Sequence, residues 1–216
     1  MPVILFLTIL FSCNYEINTT IYLRDIDDFI KTDDQQYNTR GTILIQLSSD
    51  DKIEETYSLI SGYFKNISKP RLIKRDYYSY MEADIEIPVN KLNTNNEFKY
   101  DSSSLINILL KINNDNYEIG LHFDKEGFES LRELIYEKYY QSLDIEEFKL
   151  ILKINNDLRT SNIVSPYYVY VDNEPYLYGN SIEMKPRDEV IVRLSDVLRD
   201  FIYKNSNQLF LRFEKK

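Results

Sequence analysis

The 216 residues contain one cysteine, one histidine and no tryptophan. A lone thiol excludes an internal disulfide. No Cys/His set exists for a structural zinc site, and the residues imply neither a metal nor a cofactor. A histidine-activated nucleophile has only His122 to call on. That residue lies in the alternating stretch YEIGLHFDKEG, where a packed strand position is the simpler reading. The oxygen-rich stretches NTNNEFKYDSS and NNDNYE lack the glycine and closing glutamate of a calcium loop. Phosphate-cradling glycine loops, HExxH and GxSxG are all missing. Five glycines and six prolines, beside 43% hydrophobic residues, exclude a disordered or fibrous chain. Basic charge is also short: 26 Lys and Arg face 35 Asp and Glu, a net charge of −9. Phosphate backbones select clustered cations. The longest such cluster, KPRLIKR at 69–75, reads as a solvated loop. Nucleic acid is therefore not an expected partner.

What is present begins at the N-terminus. Val3 to Phe11 is apolar except for Thr8. Nine residues are too few for a hydrocarbon core about 30 Å thick, which takes roughly 20. They fit the hydrophobic region of a secretory signal. The run closes on Leu10-Phe11-Ser12-Cys13, which resembles the lipobox of bacterial lipoprotein signal peptides. That resemblance implies diacylglyceryl transfer to Cys13, cleavage before it, and further acylation by a fatty chain such as palmitate. Two or more acyl chains hold a membrane firmly where one does not. The alternative is a buried N-terminal strand. No basic residue precedes the run, so a translation start a few codons upstream of Met1 is expected.

After residue 12 the chain divides into an N-terminal half (13–90), a polar connection (91–104) and a C-terminal half (105–216). Alternating stretches at 14–26 and 38–47 read as strands. A helix follows on Ile53, Tyr57, Ile60 and Phe64, with Ser48 to Asp51 as cap candidates. YSYMEADIEIPV reads as a strand stopped by Pro88. SLINILLKI and NYEIGLHF flank an Asn113-Asn114-Asp115 turn. Asp124 and Ser195 are read as N-caps of two further helices, and the chain closes on a strand. LKINND occurs at 110–115 and again at 152–157, read as a favourable turn used twice. The expected fold is α+β: mostly antiparallel strands with about three helices in strand–helix–strand units.

Nineteen tyrosines are the main surplus. Tyr167, Tyr168, Tyr170, Tyr176 and Tyr178 form the candidate binding patch, since tyrosine is rigid and amphipathic. Strand packing explains the same cluster. The carboxylate pairs Asp27/Asp28, Asp33/Asp34, Asp50/Asp51 and Glu146/Glu147 read as solvated charge.

CNYEINTTIYLRDIDDFI after the lipobox, then DSSSLINILLKI…FDKEGFESL, KLILKINND, YVYVDNEPY and VIVRLSDV, together resemble an uncharacterised family of bacterial and prophage-encoded lipoproteins. The resemblance implies an extracytoplasmic domain held on the cell envelope membrane through Cys13; no catalytic residue comes with it. Two function classes follow: a non-enzymatic binder of an envelope protein or glycan, or an envelope hydrolase or glycan-acting enzyme with an unrecognised carboxylate site. Strand character from about Tyr15 leaves almost no tether, so the body should rest near the headgroups, with KPRLIKR beside them.

Overall fold

The computed structural model describes residues 14–93, 98–113, 116–140 and 142–215. Cys13 and the apolar run before it lie outside the described residues, as do two of the three residues of the 113–115 turn. The N-terminal half supplies β1 (Tyr15–Tyr22), α1 (Leu23–Ile30), β2 (Gln36–Leu47), α2 (Ile53–Ile60), β3 (Arg71–Arg75) and β4 (Tyr78–Lys91). Then come β5 (Ile106–Asn113), β6 (Asn116–Phe123), α3 (Lys125–Tyr139), β7 (Phe148–Asn155), β8 (Asn162–Pro166), β9 (Val169–Val171), β10 (Glu174–Tyr176), β11 (Ile182–Met184), β12 (Glu189–Leu194), α4 (Asp196–Asn205) and β13 (Asn207–Lys215).

The expected α+β class is overturned. Strand accounts for 47% of the structure and helix for 24%, and the strands belong to one curled sheet. Its order is β10-β9-β12-β7-β1-β2-β4-β5-β6-β13-β8-β11, with β3 attached to β4 alone. The physical reason lies in the pairing. Long-range contacts join the two halves into that sheet, through parallel pairs β1–β7 and β4–β5. The helices cover the sheet without separating its strands. Four α-helices form among the described residues, against about three expected. The extra one is α1, which the alternation of residues 14–26 had absorbed into a strand. Its Leu23, Ile26 and Phe29 are buried at a spacing of three, one face of a helix.

Strand β1 alternates buried and open residues, so its two faces meet different surroundings. Tyr15, Ile17 and Ile21 enter the core. There the Tyr15 ring lies 5.4 Å from Phe148 and 6.3 Å from Phe128, on α3. Burial drives the Tyr15 phenol pKa far above its ordinary value, and its Oη donates to the carbonyl of Asp144 at 3.1 Å. Two of the three expected caps form: Gly127 N–H donates to Asp124 at 3.1 Å and Leu198 N–H to Ser195 Oγ at 3.2 Å, whereas none of Ser48 to Asp51 caps α2, which is preceded by a 3-10 turn and Lys52. Pro88 does not stop β4. Glu86 N–H points away from β2 to the carbonyl of Lys65. Two residues on, the imino nitrogen of Pro88 faces the same side, just before β5 joins at Val89.

KPRLIKR is a strand, not a loop. Its last five residues are β3, and their charges are paired. Arg71 reaches Glu82 at 2.9 Å and Asp84 at 3.0 Å, Lys74 reaches Asp50 at 2.9 Å, and Arg75 approaches Glu16 at 3.8 Å.

Candidate functional site

The face of β1 turned away from the core carries Glu16, Asn18 and Thr20. Pairing register extends this polar face sideways. Tyr170 pairs with Arg193, Arg193 with Ile151, Ile151 with Asn18, Asn18 with Thr42, and Thr42 with Asp84. One cross-strand row thus spans β9, β12, β7, β1, β2 and β4, about 24 Å at the usual strand spacing. Along its middle lies an open trough of about 840 Å³, lined by Asn18, Thr20, Arg40, Thr42, Asn66, Asp84, Glu86, Lys153 and Arg193 among others. A second hollow of about 550 Å³ shares Ile151 and Arg193 and adds Tyr170, Asn173, Lys149 and Glu16.

The lining is a hydrogen-bonding surface. Asn38 and Asn66 donate their amides to Glu86 at 2.8 and 2.9 Å. Arg193 donates to Asn173 at 2.8 Å, and Lys153 pairs with Glu189 at 3.0 Å. The carboxylates of Asp84 and Glu82 raise the pKa of the Arg71 guanidinium above the arginine value, fixing Asp84 at the trough's end. Arg40, exposed between the trough and a third hollow of about 690 Å³, makes no ion pair among the described residues. The two carboxylates in the trough, Asp84 and Glu86, sit on one face of β4 and are both engaged. Asp84 is exposed and Glu86 half-buried, so neither is enclosed.

Of the tyrosine candidates, only Tyr170 joins this row. Tyr167 and Tyr178 meet each other, ring centroids 5.6 Å apart. Tyr168 is exposed with a positive φ of 56°, and Tyr176 packs against the core. Of the acidic pairs, Asp50 is bound by Ser79 and Lys74, whose hydrogen bonds lower its pKa, and Asp28 pairs with Lys31 at 3.2 Å.

His122 lies elsewhere, in a buried polar row. Asn107 pairs across the strands with His122, and the Asn90 amide donates to Asn107 at 3.0 Å. Phe98 and Tyr100 cover the imidazole at 5.1 and 4.6 Å, centroid to centroid. Neither ring nitrogen has a hydrogen-bond partner among the described residues, and burial lowers the histidine pKa against the opposing charge of Asp124. The covering segment is pinned by Asp101. Burial disfavours its charge, yet Lys65 at 2.6 Å, Ser103 and Gln36 together hold the carboxyl well below its ordinary pKa. Among the described residues this row is buried and aromatic-capped, with His122 only 8% exposed.

Among the described residues no group of His, Cys, Asp and Glu could hold a metal ion, and no helix is long and apolar enough to cross a membrane. No curated protein matches the chain, and no solved structure does. One family model does, described as a domain of unknown function (DUF7424), over residues 15–216. That match takes in the whole sheet, the trough and the buried histidine row, and the chain belongs to this uncharacterised DUF7424 family.

Proposed function

We propose that the chain is a lipid-anchored binding protein of the bacterial envelope, prophage-borne in origin, that holds a glycan strand in the polar trough. One observation carries the binding assignment: an open trough of about 840 Å³ whose lining mixes amides, hydroxyls and both signs of charge. Such a surface replaces water around a polyhydroxylated ligand group by group, and its roughly 24 Å row suits an extended ligand. Tyr170 adds an aromatic face at one end, on which a sugar ring stacks. The engaged state of Asp84 and Glu86 favours binding over hydrolysis. The anchor reading rests on the Val3–Cys13 sequence, because only a thiol accepts the diacylglycerol.

Two experiments test this. An array of bacterial surface oligosaccharides, probed with the full-length chain in detergent, should show one retained ligand class. Asn18→Ala with Arg193→Ala should weaken that binding about tenfold or more, as loss of two polar contacts predicts. An array with no retained glycan ends the ligand assignment. Labelling with an alkyne fatty acid should mark the wild type and leave Cys13→Ser unmarked; label on the variant ends the anchor assignment.

A further inference from the structure

The most exposed large hydrophobic side chains cluster at one end of the sheet. Tyr77 is 99% exposed, and Tyr140, Leu177, Tyr178 and Val197 are each more than two-thirds exposed. Strand pairing and side-chain contacts place all five at the end of the sheet where β1 begins. Tyr77 stands in the β3–β4 turn, and Ser79 just after it pairs with Leu47, two residues past the Ile45 partner of Tyr15. Leu177 and Tyr178 follow Tyr176, which pairs with Val169; Val169 pairs with Leu194, at the end of β12 nearest the Phe148 partner of Tyr15. Val197 lies in the first turn of α4, whose Arg199 donates to the carbonyl of Glu146 at 2.8 Å, two residues before Phe148. Tyr140 ends α3, beside Tyr139, whose ring lies under Lys52. Lys52 in turn follows Asp50, the partner of Lys74 and Ser79.

The first described residue, Asn14, sits at this same end, where its carbonyl accepts from Gln46 N–H at 2.9 Å. The strand order puts β1 between the aromatic tips. β3 lies three strands to one side, about 14 Å along the sheet, and β10, which leads into Leu177, four to the other, about 19 Å. We infer that this end of the domain docks on a lipid surface, with Tyr77 on one side and Leu177 and Tyr178 on the other entering the headgroup layer around a central acyl anchor. The placement rests on the reading of Cys13 as the acylated residue. Tyrosine suits this depth, its ring in the apolar boundary and its hydroxyl in water. The cations at this end do not draw it to anionic lipid, because Lys74 and Arg75 are spent on Asp50 and Glu16. Docking is aromatic and aliphatic in character, and a zwitterionic surface suffices.

Because the chain has no tryptophan, Tyr77→Trp, Leu177→Trp and Tyr22→Trp each introduce a single reporter. Tyr22 is the control, exposed at the far end of β1, roughly 23 Å away by strand rise. Full-length acylated protein is reconstituted in phosphatidylcholine vesicles with and without brominated acyl chains. Quenching of about twofold is expected for Tyr77→Trp and Leu177→Trp and none for Tyr22→Trp, as interfacial aromatics require. Equal quenching at all three positions overturns the orientation. Absence of quenching at both tips, in protein that floats with the vesicles and carries the alkyne label on Cys13, overturns the docking and leaves the anchor standing. Absence of label overturns the anchor and the docking together.

Discussion

Strand β1 alternates buried and open residues over most of its length, whereas β5 buries five in succession, Ile106 to Leu110. Both are interior strands of the same sheet. The difference is what lies over the second face. Over β5 it is the 98–104 segment: Asp101 N–H donates to the Asn107 side chain at 2.9 Å, and the Asn107 amide returns to the carbonyls of Asp101 and Ser104. Over β1 nothing in the described chain is laid down, and the amides and hydroxyls there form the trough. A sheet covered on one side along part of its width and on both sides along the rest separates an open polar surface from an enclosed structural one. Substitutions should divide along that boundary.

The largest contrast is in packing. Leu110→Ala in β5 should cost about 3 to 4 kcal/mol, the usual loss for a fully enclosed leucine, whereas Thr20→Ala on the open face of β1 should stay within about 0.5 kcal/mol. Urea titration of both variants measures this; equal losses would erase the distinction between the two regions. Next is Gly120, in β6 beside the register shift of β13. A Cβ there would lie 2.3 Å from the Gln208 carbonyl oxygen and 2.7 Å from Leu209 Cα, both backbone. Gly120→Ala should therefore cost about 2 to 3 kcal/mol. Gly62 has open space around its missing Cβ, and Gly62→Ala should be neutral within about 0.5 kcal/mol.

The smallest effect is a pH dependence confined to the covered side. Burial depresses the His122 pKa below its ordinary 6.5, so the folded protein favours the neutral ring. As pH falls below about 6.5 the unfolded chain takes up a proton that the folded chain refuses. Stability should therefore decline from about pH 7 towards pH 5 and level off once pH passes the folded value. His122→Phe, which suits the Phe98 and Tyr100 rings, should flatten that slope. Thermal melts of both proteins across this range decide it; an unchanged slope in the variant would assign the dependence to other groups.

Much of the local architecture was legible in the residues. Asp124 and Ser195 stand where a short acceptor precedes an amphipathic run, and each caps the helix it announces. Local signals misled where pairing decides. Pro88 stops a strand only when its nitrogen faces a partner, and which side it faces is set by residues far away in sequence. Asn156, read as part of a repeated turn, is fully buried and donates to the carbonyls of Thr160, Met184 and Lys185, holding the end of β7 against the approach to β12. The trough was invisible for the same reason. Arg193, Ile151, Asn18, Thr42 and Asp84 are unremarkable one at a time, and only the register of five strands makes them a row. Tyr170 alone of that row was named in advance, through the tyrosine surplus.

The parallel pairing of β1 with β7 also sets the order in which the molecule can assemble. Tyr15 to Thr19 find partners in β2 early, but Thr20 to Tyr22 are matched only by Lys153 to Asn155. A ribosome or export channel releasing this chain from its N-terminus must deliver about 130 further residues before the middle of the sheet can close. Loop closure over that distance makes the step slow compared with the β5–β6 hairpin, whose strands are neighbours in sequence. Until then the open edge of β1 remains a place for a holding chaperone or for a wrong strand.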